Sequence, residues 1–203
     1  PDGEEIAFYA HRSGLRQVWI QPVDGGPARQ LTRGEVESTF PSWSPDGREI
    51  AFLSRRDAKF EIRVVPTEGG EPLSLTNEPF VDDSFAFSPD GRWLVYESTR
   101  SGTSNFWRVS RAGGEPEKLS DAEGELLCWS PDGKSIYFVG VGEGRGNLWT
   151  MSGEGGSARP LTDLSGRPGA LVLAGPLATD GTYLYFAWRE GRGDIWVADV
   201  VFQ

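Results

Sequence analysis

The chain has 203 residues and a formal charge of −10, from 30 acidic and 20 basic side chains. That balance argues against a nucleic-acid surface, which needs Lys and Arg concentrated on one face. One cysteine, Cys128, excludes an intrachain disulfide and a cysteine metal cluster, and the longest apolar run, near residues 169–178, is broken by Gly175 and Pro176 and spans no membrane.

A repeat organises everything else. Trp43-Ser44-Pro45-Asp46-Gly47 recurs as Phe87-Ser88-Pro89-Asp90-Gly91 and as Trp129-Ser130-Pro131-Asp132-Gly133. A short copy, Pro1-Asp2-Gly3, precedes them and a divergent one, Leu177-Ala178-Thr179-Asp180-Gly181, follows. The Asp falls at 2, 46, 90, 132 and 180, a period characteristic of repeat architectures. Seventeen residues after it stand Trp19, Arg63, Trp107 and Trp149, with Trp196 after sixteen. Gly-Gly pairs begin 23 residues after it, at Gly25, Gly69, Gly113 and Gly155. Leu31, Leu75, Leu119 and Leu161 stand 29 after it, each followed by Thr or Ser. Length varies only between that pair and the next Asp, which predicts a variable crossover loop there.

Taken in chain order, units beginning near Pro1, Thr39, Ser84, Leu126 and Gly175 predict three, four, four, four and three strands, eighteen in all. The first strand of a unit, 39–43 in one copy, ends in Ser-Pro-Asp-Gly. Pro presets φ, Asp bonds its own backbone, and Gly takes the left-handed conformation that closes a hairpin. Second strands are predicted at 6–10, 50–54, 94–98, 136–140 and 184–188. Their β-branched and aromatic runs suggest burial on both faces. Third strands carry the repeated Trp at 17–21, 105–109, 147–151 and 194–198, and Gly-Gly turns each into a short fourth strand. No window has sustained helical periodicity.

Units of this length with four antiparallel strands predict an all-β propeller, its blades burying each other's faces. The pattern Pro41-x-Trp43-Ser44-Pro45-Asp46-Gly47-x-x-Ile50-Ala51-Phe52, then a Trp strand, Gly-Gly and Leu-Thr, resembles the propeller repeat of TolB and its relatives. Similar repeats occur in prolyl-oligopeptidase-like enzymes and bacterial sensor proteins. The resemblance implies the fold across the whole chain, and a periplasmic or extracellular setting, although no signal peptide is visible. TolB-like propellers commonly have six blades. The first and last units lack a strand each, so the sequence reads as an excerpt of a longer ring, as an imperfectly closed five-unit ring, or as one that self-associates through its incomplete terminal blades.

Topology places the Pro-Asp-Gly and Gly-Gly turns on one face, and the crossovers with the second-to-third loops on the other. The crossovers carry Glu35, Glu37, Asp82, Asp83, Asp121, Glu123 and Glu125; the second-to-third loops carry Arg12, Arg56 and Arg100, with Arg145 and Arg189 nearby in the last two units. Two readings are open. The carboxylates bind a cation or a basic peptide and the Arg ring sets orientation, or the charges solubilise loops and pair across blades.

The turn residues Asp46, Gly47, Asp90, Gly91, Asp132 and Gly133 recur equivalently, whereas catalysis needs a unique constellation; they read as structural. His11 is the only histidine, so zinc and Ser-His-Asp chemistry lack their parts, and no Gly-x-Ser-x-Gly elbow, Walker loop, dinucleotide fingerprint or EF-hand spacing is present. No cofactor is expected. Cys128 fills a slot held by Ser42 and Ala86 and reads as a small packing residue. The aligned Trp residues read as inter-blade core, while Arg63 in their column either snorkels, stacks on a ring or marks a contact surface. The function that fits is a non-catalytic scaffold binding a protein or peptide through the crossover face. The alternatives are a gating propeller of a larger prolyl-oligopeptidase-like enzyme and a purely structural or engineered repeat fragment.

Overall fold

The computed structural model describes residues 1–12, 14–56, 59–77, 81–141, 146–172, 177–190, 194–197 and 200–201. Its building block is a hairpin closed by its own side chains. Ser44 Oγ donates to Asp46 Oδ1 at 2.7 Å and accepts from the Glu49 amide at 2.9 Å, while Asp46 Oδ1 accepts from the Arg48 amide at 3.2 Å. Ser88 with Asp90 and Ser130 with Asp132 repeat this network. Gly47, Gly91 and Gly133 sit at φ near 70° (70°, 69° and 71°), which a side chain would strain. Consecutive turns also nest: a Cβ placed on Gly47, Gly91, Gly133 or Gly181 would lie 3.3 to 3.8 Å from Pro1, Pro45, Pro89 or Pro131 of the preceding turn.

These hairpins grow into antiparallel sheets. The first contains β1 (Glu5–Ala10), β2 (Gln17–Pro22) and β3 (Arg29–Gln30); the second contains β4 (Glu37–Trp43), β5 (Glu49–Arg56), β6 (Lys59–Pro66) and β7 (Leu73–Ser74). The third and fourth blades share one seven-stranded sheet, with β8 (Val81–Phe87), β9 (Trp93–Ser98) and β10 (Asn105–Ser110) on one side of β11 (Glu117–Trp129). On its other side lie β12 (Ser135–Gly140), β13 (Leu148–Ser152) and β14 (Ala158–Pro160). The last blade has β15 (Ala170–Leu171), β16 (Ala178–Thr179), β17 (Tyr183–Tyr185), β18 (Ala187–Glu190), β19 (Asp194–Val197) and β20 (Val200–Val201). The architecture is an all-β propeller.

Twenty strands are described where the repeat predicts eighteen, because the last blade holds six short strands in place of three and one strand elsewhere serves two blades. The predicted strand 184–188 breaks at Phe186 into β17 and β18, and its partner likewise into β19 and β20. In the opposite sense, β11 runs unbroken from the fourth strand of one blade into the first of the next. The extra crossover residues are therefore not all in a loop. They enter the first strands as bulges: Thr39 pairs with Leu53 and Ser42 with Ala51, and Val81 pairs with Ser98 and Phe85 with Tyr96. In the last blade Leu171 pairs with Trp188 but the next ladder starts at Ala178 and Tyr185. Phe40 and Leu126, at equivalent bulge positions, take left-handed φ of 51° and 54°. The predicted unit start at Gly175 lies outside the described residues.

The core sits between blades. On β5, Ile50 and Phe52 pack with Val18 and Ile20 of the first blade, while Ala51 and Leu53 pack with Phe87, Leu94 and Tyr96 of the third. Val95 and Phe106 meet Ile136, Phe138 and Met151 at the next junction, and Val139 and Leu148 meet Leu184, Phe186 and Trp188 at the last. Period-two alternation thus serves two junctions from one strand, each fully buried aliphatic or aromatic side chain contributing about 1.5–3 kcal/mol. Trp107 and Trp149 pack against the junction clusters, as inter-blade residues do.

The Leu-Thr signature has its own task. Thr32, Thr76 and Thr162 accept, through Oγ1, the third-strand amides of Val18, Ile62 and Leu148 at 2.9, 2.9 and 3.0 Å. Each bond ties the end of a blade's outer strand to its neighbour.

Candidate functional site

The crossover face is pinned by polar residues at the start of the third strands. Gln17 Nε2 donates to the Val36 carbonyl at 2.9 Å, Asn105 Nδ2 to the Asp121 carbonyl at 3.1 Å, and Asn147 Oδ1 accepts from the Leu164 amide at 2.8 Å. Each locks a crossover to its blade, so differences in crossover length become fixed differences in shape.

Most of the carboxylates expected in crossover loops stand on strands. Glu37 opens β4, Asp82 and Asp83 lie in β8, and Asp121, Glu123 and Glu125 lie in β11, leaving Glu35 outside the ladders. This differs from the loop expectation because the crossovers extend into the first strands and accommodate surplus residues as bulges. Glu37 holds the Arg16 guanidinium through both oxygens, at 2.9 and 2.8 Å, across the first junction, and that hydrogen-bonded pairing lowers its pKa. Asp121 pairs with Lys118 at 2.6 Å, whereas Glu35 and Glu123 are exposed and Glu125 is half-buried. The side chains of Asp82, Asp83 and Arg56 lie outside the described residues, as does Arg145.

Arg12 and Arg100, of the expected arginine ring, lie against aromatic rings. Arg12 lies 5.4 Å from the Phe8 ring centre and 5.3 Å from that of Trp19, and Arg100 lies 4.5 Å from that of Trp107. Arg55 takes the corresponding place over Phe60 at 5.5 Å. Phe60 and Trp107 pack against the core between the second and third blades, so cation–π contact from Arg55 and Arg100 caps the edge of that junction. Arg63, in the Trp column, donates to the Pro72 carbonyl at 2.9 Å and keeps its Nε buried, as Trp19 and Trp107 keep their indole N–H.

Cys128 and His11 sit in opposite surroundings. Cys128 is packed in the last junction, and burial pushes its thiol up to about 12. His11 is exposed, and among the described residues no three His, Cys, Asp or Glu groups are placed to hold a metal.

Sequence reasoning passed over the turn face, where two arginines of the third blade reach its neighbours. Arg111 donates from Nη1 and Nη2 to the two oxygens of Asp46 at 3.0 and 3.2 Å, and from Nε to Glu49 at 2.6 Å. Its guanidinium also lies 5.8 Å from the Phe87 ring centre. Hydrogen bonds from Arg111 and Ser44 hold the Asp46 carboxyl well below the usual carboxylate range. Arg108 covers Trp93 at 4.5 Å and pairs with Glu117 at 2.5 Å and with Glu154 of the fourth blade at 3.4 Å. The available signal was columnar. Val23, Thr67, Arg111 and Gly153 all stand 21 residues after the repeat Asp, a different residue in each of these units.

Between the third and fourth blades the same face opens into a groove of about 400 Å³, lined by Asp90, Trp93, Trp129, Asp132, Gly153 and Glu154 among others. Asp90, bonded by Ser88 and the Arg92 amide, has its carboxyl lowered to about 2.

With this geometry in hand, known proteins provide a frame. A family model for the Tricorn protease N-terminal β-propeller domain matches residues 16–139. Tricorn protease homolog 2 of Streptomyces coelicolor is 46% identical over 46 residues, which are 22% of this chain and 4% of that protein. A structure described as TolB from Agrobacterium tumefaciens superposes with a TM-score of 0.72 at 28% identity, covering 80% of this chain and 62% of its own. TolB from Acinetobacter baumannii gives 0.81 at 21% identity over 99% of this chain and 50% of its own. A puromycin-hydrolysing peptidase of Mycobacterium tuberculosis gives 0.77 at 20% identity over 99% of this chain and 34% of that one. The last two likenesses are of fold alone, and the chain spans less than two thirds of each of these proteins.

Proposed function

The chain belongs to the Tricorn protease N-terminal β-propeller domain family, and from that premise we infer that it is a non-catalytic recognition module that binds a polypeptide through its crossover face. The observation carrying this reading is the contrast between the two faces. The turn face repeats one hairpin, whereas the crossover face has bulges of different size and crossovers pinned by Gln17, Asn105 and Asn147. A pinned, irregular surface suits recognition because little ordering is left for binding to oppose. Its exposed Glu35 and Glu123, on a chain of charge −10, favour a basic partner.

A second reading has its own support. The stretch that is 46% identical to a tricorn protease homolog makes up only 4% of that protein. The recognition module then works as the propeller of a larger protease, admitting polypeptide to a catalytic domain. Both readings use the same face.

The test is charge reversal. The pair Glu35→Lys and Glu123→Lys should weaken binding of an oligolysine peptide at least about tenfold at low salt. Reversal of the exposed turn-face carboxylates Glu68 and Glu71 should change it little. Equal losses from the two pairs would reduce the effect to net charge and remove the assignment to the crossover face.

A further inference from the structure

We propose that the groove between the third and fourth blades on the turn face is a second binding site, independent of the crossover face, and that it takes an arginine side chain of a peptide or protein partner. The chain supplies the precedent itself. One junction earlier, the equivalent position is filled by the protein's own Arg111, held by Asp46 and Glu49 beside the Phe87 ring.

The two junctions align residue by residue. Asp90 stands for Asp46, Trp93 for Glu49, and Trp129 for Phe87, while Gly153 stands where Arg111 does. The Arg111 and Gly153 amides make the same bond, to the carbonyls of Arg92 and Lys134 at 2.9 and 2.8 Å. Near Gly91 an added Cβ would meet Arg111 Nη1 at 3.3 Å as well as Pro45; near Gly133 it would meet only Pro89. The position occupied by a guanidinium at one junction is open groove at the next. Nor can the chain fill it from Gly153, because a Cβ there would lie 2.3 Å from the Gly133 carbonyl oxygen and 2.8 Å from Trp129 Cζ3.

The chemistry that remains suits a planar cation. Asp90 offers the carboxylate that Asp46 offers to Arg111, and Trp93 and Trp129 exchange one carboxylate and one phenyl ring for two indole walls, of which Trp93 already carries Arg108 at 4.5 Å from its ring centre and Trp129 is the wall left to the ligand. Glu154 and Asp132 at the rim add carboxylates that are only loosely paired, with Arg108 and with Lys134, each at 3.4 Å. Arg92 occupies Asp90 Oδ2 at 2.5 Å, but its side chain is 74% exposed and tethered two residues away. A pair of that kind is weak, so an incoming guanidinium displaces it readily.

The experiment follows the indole N–H resonances of Trp93 and Trp129 while the peptide acetyl-Gly-Arg-Gly-amide is titrated into the chain. The neutral citrulline peptide of the same shape serves as control. The expected result is a saturable shift with the arginine peptide that is absent with citrulline. Asp90→Asn should weaken it at least about tenfold, and Arg92→Ala should tighten it severalfold by freeing the carboxylate. Unmoved resonances up to the solubility limit of the peptide, or equal shifts with citrulline, overturn the proposal. If Asp90→Asn does not fold, Arg92→Ala decides: an affinity unchanged or lowered overturns it.

Discussion

The junction between the second and third blades and the junction between the third and fourth use the same backbone and the same hairpins, yet adhere by different means. The first is clamped by charge, with Arg111 of one blade gripping Asp46 and Glu49 of the other. The second is brought together mainly by small residues, with Gly155 approaching the Leu119 carbonyl and the Gly156 amide donating to it at 3.0 Å, beside the single longer Arg108–Glu154 pair at 3.4 Å. A repeat therefore fixes where blades meet but leaves each junction free to choose charge or close contact. That freedom leaves a groove at one junction that a side chain fills at the other.

The largest way to break the comparison is Gly153→Ala. Its Cβ would meet backbone, which cannot yield as a flexible side chain does, so the Gly133 turn and the third strand of the fourth blade must move apart where that blade faces the third. A loss of about 2–3 kcal/mol is expected, read from the denaturant midpoint. Arg111→Ala should cost somewhat less, about 1–2 kcal/mol, since the pair is part-exposed and some of its attraction is screened.

That second variant also carries a pH signature. The Asp46 carboxyl is held below its ordinary value, so its contribution is complete above the unfolded value of about 4 and is lost as pH falls through the folded one. Wild-type stability should decline on acidification below pH about 4. Arg111→Ala should decline less over the same window, because Asp46 then has less stabilisation to lose. Equal pH slopes for the two proteins would dissociate Arg111 from the Asp46 shift.

A smaller change sharpens the opposite face. Arg100→Ala removes the guanidinium lying over Trp107 and should cost about 0.5–1 kcal/mol while leaving both turn-face junctions intact.

The sequence was most informative where residues recur. The Ser-Pro-Asp-Gly hairpins, the two-faced central strands and the inter-blade place of Trp107 and Trp149 follow from offsets that barely vary, because every blade must satisfy the same backbone groups. The irregular parts were hidden for a physical reason. Whether surplus crossover residues form a loop or a bulge depends on pairing across a sheet, which is why Asp121, Glu123 and Glu125 stand on β11. Likewise, Arg12 and Arg100 share a charge pattern that suggests a ligand, but rings from their own blades lie beneath them. The column of Val23, Thr67, Arg111 and Gly153 was visible, but its meaning rests on what each neighbouring blade presents to it. Glu97 was equally unforeseen: it is buried where Leu53 and Val139 stand in adjacent blades, and it accepts a hydrogen bond from Ser104.

The claim that the junctions share one guanidinium position, filled from within at one and from outside at the next, is tested most directly by the binding stoichiometry of acetyl-Gly-Arg-Gly-amide on wild type and on Arg111→Ala. Removing Arg111 exposes Asp46 and Glu49 beside Phe87, so the account predicts that the variant binds one equivalent more than the wild type. A variant that binds no more peptide than the wild type would contradict it.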